Sequence, residues 1–392
     1  MAAPALGRQV NMFGGSLYFR LSSYYFWYFA FIGAFAPFFA LYLRARGYSA
    51  VEIAVLIAIN PVSRIFGPNF WGYLADRYRA RGTILRWLAV LTVTSFCAVF
   101  LHPGFAGMFL VLVVLNTFWS GMMPLAEAST MSLLGQRIGT YGRIRLWGSV
   151  GFVLVVIAGG YLFDAFSIRA IEPTVLILLV LTAIATFSLP RDRSPNTHAE
   201  HVSVLNLIGR PGVIPMLAGF FLMQFSHGPF NAFYSIYLVE TGYSKTAVGW
   251  LWALGVIAEI VLFLALPRLM KRWTLERILK ASVAFAVVRF LLIAWGVKSL
   301  AILGLAQLMH AMTFGAFHAA SVAAVHRIFR GRNQARGQAL YTSLGYGAGG
   351  TLGTLASGYG WEHLGGAATF SLAAFSAAAA LWAFRRATVS GA

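Results

Sequence analysis

Runs of eighteen or more residues almost free of charge recur from one end of this chain to the other. A hydrocarbon layer about 30 Å thick is crossed by roughly 20 apolar residues of α-helix, which pairs every backbone N–H and C=O within the segment. The runs therefore predict membrane-spanning helices. Only 10% of the 392 residues are charged, against about 25% in an ordinary water-soluble chain. Segments of alternating polarity, the mark of a membrane barrel, are absent. The hydrophobic runs give twelve spans, near residues 16–43, 50–75, 83–102, 106–134, 140–163, 171–189, 211–238, 246–267, 275–296, 299–325, 335–359 and 366–384.

A net charge of +19 points first to nucleic acid. The placement of the charge argues otherwise. Of the 30 Lys and Arg, 22 fall on one side of the predicted spans, five on the other and three within them. The positive-inside rule puts the 22 in the cytoplasm, with both termini inside and the protein in the cell inner membrane. The basic surplus is thus topology, and no nucleic-acid partner is expected. The single cysteine, Cys97, lies in an apolar run and offers neither a disulfide framework nor a Cys-based metal site. The first apolar run is too long for a signal peptide, so it reads as a retained helix.

The longest polar interruption, Pro190 to Ser203, lies at the midpoint and reads as a linker. Six spans precede it and six follow, giving units 1–189 and 211–392 joined by a cytoplasmic linker, 190–210. The halves repeat. "FFALYLRARGYSAVEIAVL" from Phe38 parallels "FYSIYLVETGYSKTAVGWL" from Phe233, an offset of 195, and "LWGSVGF" from Leu146 parallels "LYTSLGY" from Leu340, an offset of 194. Such duplication characterises transporters that rock about a midplane site.

"GYLADRYRARG", Gly72 to Gly82, resembles the loop signature of the major facilitator superfamily. Gly72 is expected to permit close helix approach, and Asp76, Arg77 and Arg81 to form latching ion pairs at the cytoplasmic boundary. Within that superfamily "PFFALYL", "PLAEA", "YGRIRLWGSVGF" and "FGAFHAAS" resemble the phenylpropionate permease-like group and, more distantly, the lactose permease. The resemblance implies an all-α membrane protein of twelve transmembrane helices in two pseudo-symmetric six-helix bundles.

Among the acidic residues only Glu127 and Glu259 lie well inside spans, as do Arg64 and Arg289 among the basic ones. A central charge costs about 2.5–3.5 kcal/mol on insertion scales, so it faces a partner or a wet cavity. Glu127 and Arg145 stand eighteen residues apart about Gln136, in the turn between two spans. Equal distance from the turn gives equal depth, at most roughly 13 Å into the membrane. They form either a clamp between two helices or a substrate site. The resemblance implies the site: in the lactose permease the Glu and Arg of this hairpin contact the sugar, and Phe152 matches an aromatic ring that packs on it. Arg289 and His310 resemble coupling-site residues there. This chain departs one turn later, with Thr313 in place of the proton-carrying carboxylate and Gln307 in place of a lysine. Glu259 is then the candidate proton carrier, with a Glu259–Arg289 structural pair as the alternative.

Gln307, His310, Phe314, His318 and Ser321 fall within about 80° of arc on a regular helix, a candidate cavity face. The seventh span offers Gln224, His227 and Asn231 at i, i+3 and i+7, with His227 grouped among the coupling residues. Asn116 is a further amide within the fourth span. In the first span Tyr24, Tyr28, Phe31 and Phe35 share a face, either toward lipid or toward the cavity. Tyr28 is taken as a substrate contact. The glycines from Gly345 to Gly360 suit close helix packing.

No nucleotide-binding motif is present, and no cofactor or metal is expected. The reading is a secondary transporter that functions as a monomer, coupled to protons, with an aromatic carboxylate as solute. A sugar or nucleoside symporter and an efflux antiporter of the same fold are the alternatives. An intramembrane enzyme built on "GSVG" at Gly148 lacks a compatible histidine, so no catalytic residues are assigned.

Overall fold

The computed structural model describes residues 6–190, 209, 211–329 and 333–387, with side chains from residue 17 onward except that of residue 335. Ten continuous helical stretches are long and apolar enough to cross a membrane. Two of them, Phe105–Phe166 of 62 residues and Arg336–Arg386 of 51, are at least twice the length one crossing needs. The first is a hairpin: α4 (Phe105–Leu134) stops at Gly135, φ 50°, and a 3₁₀ turn, Gly135–Thr140, leads into α5 (Tyr141–Phe166). The second breaks at Gly365, φ 80° and ψ 174°, within α14 (Gly350–Arg386). Among the described residues the count is therefore twelve transmembrane helices, an all-α membrane protein.

The other spans follow the hydrophobic runs. They are α1 (Leu6–Ala45), α2 (Ala50–Arg77), α3 (Arg81–Cys97), α6 (Ile171–Ser188), α9 (Lys245–Arg272) and α10 (Leu275–Gly296). The seventh span is split into α7 (Val213–Ser226) and α8 (Gly228–Glu240), with Pro229 in the first turn of α8, where its missing N–H is not needed. The tenth consists of α11 (Leu300–Leu308), a π-helical turn over Ala311–Ala316, and α12 (Phe317–Ile328). The eleventh begins as α13 (Gln334–Tyr341) and passes through a second π-helical segment, Thr342–Gly349, into α14.

The repeat is visible in backbone detail. Gly47 and Gly242, φ 87° and 104°, each end a helix in the left-handed conformation that glycine adopts without strain. In each copy the following tyrosine N–H reaches back five residues, Tyr48 to Leu43 O at 3.2 Å and Tyr243 to Leu238 O at 3.0 Å. The next residue caps the new helix: Ser49 Oγ accepts from Glu52 N–H at 3.2 Å and Ser244 Oγ from Ala247 N–H at 3.1 Å. "GYS" is thus one stop-and-start device used twice. Gly349 and Gly353, within the stretch from Gly345 to Gly360, serve packing as expected. A Cβ on Gly353 would stand 2.2 Å from Phe225 O, and one on Gly349 would stand 2.5 Å from Phe221 O.

Gly72 corrects its expectation. A Cβ there would meet nothing within 4 Å, so it permits no close approach. Asp76 lies 3.9 Å from Arg81 within its own loop.

The chain forms two compact units. One contains the described residues of Met1–Phe35, Gly67–Val156 and Ala170–Thr197; the other contains those of Ala36–Phe66, Ile157–Arg169 and His198–Ala392. The second unit thus takes ends of α1, α2 and α5 along with the second half of the sequence. Of the expected linker, all but residues 190 and 209 lie outside the described residues.

Carboxylates hold those ends within the second unit. Asp164, near the end of α5, accepts from Lys245 N–H at 3.0 Å, Thr246 N–H at 2.8 Å, Thr246 Oγ–H at 2.6 Å and Lys245 Nζ at 3.4 Å. It caps the start of α9. Glu362 accepts from Val51 N–H at 3.2 Å, at the start of α2, the counterpart of α9 in the repeat. Helix N-termini bear partial positive charge and unpaired N–H groups, so both carboxylates are well placed. Arg44 and Glu240 add an ion pair at 3.2 Å. Loss of such a cap costs about 0.5–2 kcal/mol. Asp164→Ala should therefore lower the unfolding temperature in detergent, and Thr246→Ala, which removes one of the four bonds, should lower it less. Equal unfolding temperatures in all three proteins would show the cap to be idle.

Candidate functional site

In the first unit the α4–α5 hairpin brings Glu127 and Arg145 into one aromatic cluster. Tyr141, the first residue of α5, donates to Glu127 Oε1 at 3.2 Å. The Arg145 guanidinium carbon lies 3.9 Å from the centre of the Phe29 ring and 5.7 Å from that of Tyr25. Tyr25 meets Tyr141 edge-on at 6.4 Å and donates to Thr130 Oγ1 at 3.3 Å. Tyr25 and Tyr141 thus link the surroundings of the two charges. No ion pair joins Glu127 to Arg145 among the described residues. A cation on a ring gains about 0.5–2 kcal/mol and leaves most N–H groups free to donate. The arrangement can hold a planar ring and an anionic group together.

The other residues expected here are packed tightly. Tyr28 lies parallel on Trp119, 4.2 Å between centres and 8° between planes. Phe31 lies 4.4 Å from the same indole. Tyr24, Tyr28 and Phe31 are all buried, and Tyr24 donates to Met122 O at 3.2 Å. This face is covered by α4, not lipid. Asn116 is buried and its amide donates to Leu112 O at 2.9 Å in its own helix. Phe152 is buried, its backbone against Gly33, where a Cβ would stand 2.7 Å from Phe152 O.

The second unit holds the expected coupling residues. Arg289 of α10 is fully buried. Its Nε donates to Ala306 O at 3.1 Å and its Nη1 to Thr313 Oγ1 at 3.1 Å, and its guanidinium carbon stands 4.2 Å over the Phe230 ring. The Glu259–Arg289 pair left open by the sequence is not formed. Glu259 instead lies 3.9 Å from His310 Nε2. The His310 ring stacks on Phe314 at 5.3 Å and Phe230 at 5.8 Å. His227, at the break in the seventh span, donates through Nδ1 to Met223 O at 2.8 Å. Its ring meets Phe290 edge-on at 5.1 Å.

The single polar face expected on the tenth span is not made. The π-helical turn at Ala311–Ala316 disrupts the 100° spacing on which that face was counted. Gln307 and His310 belong to the Arg289 neighbourhood. His318 instead meets Tyr346 Oη at 3.0 Å and Tyr341 Oη at 3.5 Å. Gln224 is buried near this group, and Arg64, exposed, acts on Tyr346. Asn231 is exposed. Sequence reasoning missed Phe29, Phe230 and Tyr346. Only Tyr346 carried a signal, since the offset of 194 aligns it with Phe152.

These features accord with comparisons to known proteins. The family described as MFS_1 like matches residues 18–372. An Escherichia coli (strain K12) protein named "Probable 3-phenylpropionic acid transporter" is 30% identical over 350 residues, 87% of this chain and 90% of that one. The "Maltose permease" of Geobacillus stearothermophilus is 26% identical over 343 residues, 86% of each chain. A crystal structure of a mutant of the nucleoside transporter NupG superposes with a TM-score of 0.82 at 16% identity, covering 94% of this chain and 99% of the other, a likeness of fold. The chain belongs to the MFS_1-like family and is a multi-pass membrane transporter of the major facilitator superfamily.

Proposed function

We propose that this transporter carries a small aromatic carboxylate together with a proton, by alternating access, as a monomer in the cell inner membrane with both termini in the cytoplasm. The sequence halves 1–189 and 211–392 act as its two six-helix bundles. The observation that carries the reading is Arg145: a half-buried guanidinium within a cluster of aromatic rings, with no carboxylate partner among the described residues. An aromatic acid supplies both things that site lacks, an anionic group for the guanidinium and a ring for Tyr25, Phe29 and Tyr141. The relative named for 3-phenylpropionic acid supports the same class.

Glu259 takes the proton. It lies 3.9 Å from His310 Nε2, while the bonded donors of Arg289 go to Ala306 O and Thr313 Oγ1. The driving force enters as protonation of this carboxylate on one side and release on the other. A sugar is the second reading, favoured by Glu127, whose carboxylate already accepts a hydroxyl from Tyr141 and can accept one from a sugar, and by the maltose permease. Nucleoside symport and efflux by antiport use the same residues; export from whole cells singles out the latter.

Uptake of labelled 3-phenylpropionate into proteoliposomes tests the reading. A weak acid also crosses lipid in its neutral form, so the rate is read as the excess over protein-free vesicles. An inward proton gradient should raise that excess, and collapsing the gradient should remove it. An excess indifferent to the gradient contradicts symport. Glu259→Gln should keep exchange of internal for external solute and lose uphill uptake; uphill uptake by that variant would remove Glu259 as carrier. Arg145→Ala should weaken 3-phenylpropionate binding by about 10- to 100-fold, the equivalent of a charged hydrogen bond of roughly 1.5–3 kcal/mol. Glu127→Gln should impair binding of a sugar more than binding of the acid. Unchanged binding in both variants would leave the pair a structural feature only.

A further inference from the structure

Arg289 poses a charge that nothing described so far cancels. It is fully buried in α10, and its two hydrogen-bond acceptors, Ala306 O and Thr313 Oγ1, are both neutral. A neutral acceptor satisfies an N–H group without removing the charge. The third nitrogen, Nη2, is buried with no acceptor. Rings gather the neighbours. Phe230 bears the guanidinium at 4.2 Å, Tyr234 at 4.8 Å and His310 at 5.8 Å. Gln307 follows Ala306, whose carbonyl Arg289 holds.

Three of these neighbours extend the pattern of Nη2. His310 Nδ1 is buried without a partner, and the buried Tyr234 Oη and Gln307 Nε2 have at most each other. Gln307 Nε2 can only donate, as Arg289 Nη2 can, while Tyr234 Oη and His310 Nδ1 can donate. Glu259, the one carboxylate near among the described residues, lies 3.9 Å from the other ring nitrogen of His310. A buried positive charge with donors to spare on two neighbouring spans is a site for negative charge. We propose that this neighbourhood binds one monovalent anion, a halide or a carboxylate, with Arg289 as counter-charge and Gln307 and Tyr234 as donors. A divalent anion would exceed the single fixed charge. The inference stands whether the transported solute is an acid or a sugar. It is read by anion binding, so its failure leaves the transport measurements above untouched.

Thermal unfolding of the purified full-length protein in sodium methanesulfonate, titrated with chloride or with acetate, tests it. Either anion should give a saturable rise in unfolding temperature. A rise with chloride alone assigns a halide, and one with acetate assigns a carboxylate. Thr313→Asp is the decisive variant, because it places a carboxylate where an oxygen already lies 3.1 Å from Nη1. It should unfold at a higher temperature than the native protein in methanesulfonate and gain nothing from added anion. Gln307→Leu should weaken the anion's apparent affinity about tenfold, the loss of one charged hydrogen bond. No saturable rise in the native protein, or a rise that persists unchanged in Thr313→Asp, overturns the proposal.

Discussion

The bilayer interior offers a polar group nothing to bind, and the rest of this structure follows from that. Backbone groups must pair within helices, so the spans are long and their breaks few. Side-chain charge must be carried by the protein itself. This chain admits very little of it, and each admitted charge therefore stands out. Glu127 takes a tyrosine hydroxyl, Glu259 lies beside a histidine, and the guanidinium groups of Arg145 and Arg289 lie on phenylalanine rings.

The choice of rings over carboxylates for Arg145 and Arg289 has a chemical consequence. A carboxylate partner would cancel the charge and occupy the donors together. A phenylalanine face attracts the cation and accepts none of its hydrogen bonds. Each guanidinium thus stays available to an anionic group. Carboxylates are used differently at the ends of the spans, where Asp164 and Glu362 cap the starts of α9 and α2. There the charge is spent on structure, with helix N-termini as its partners. Asp164 there accepts four bonds.

Much of this was legible in the sequence because its cause is local. Hydropathy marks the spans, and the "GYS" repeat marks a turn that behaves alike in both halves. The meeting of Glu127 and Arg145 in one aromatic cluster follows from a hairpin symmetric about its turn. What the sequence hid depends on departures from ideal geometry or on distant packing. The π-helical turn at Ala311–Ala316 separates His318 from His310, which arithmetic at 100° per residue had placed on one face. Which of His310 and Arg289 would meet Glu259 depends on how α9, α10 and the tenth span pack. Phe29 and Phe230 gave no sign among so many phenylalanines. Gly72, read as a packing glycine, has open space beside it. The division of α1, α2 and α5 between two compact units has no sequence signal at all.

The central claim is that solute and proton cross together, and the pH of the medium reports it most directly. Proteoliposomes in a lightly buffered suspension, with no gradient imposed, receive 3-phenylpropionate while an electrode follows the external pH. The account predicts alkalinisation beyond that of protein-free vesicles, lost in Arg145→Ala and in Glu259→Gln. Protein-dependent entry of the solute with no accompanying pH change would contradict it.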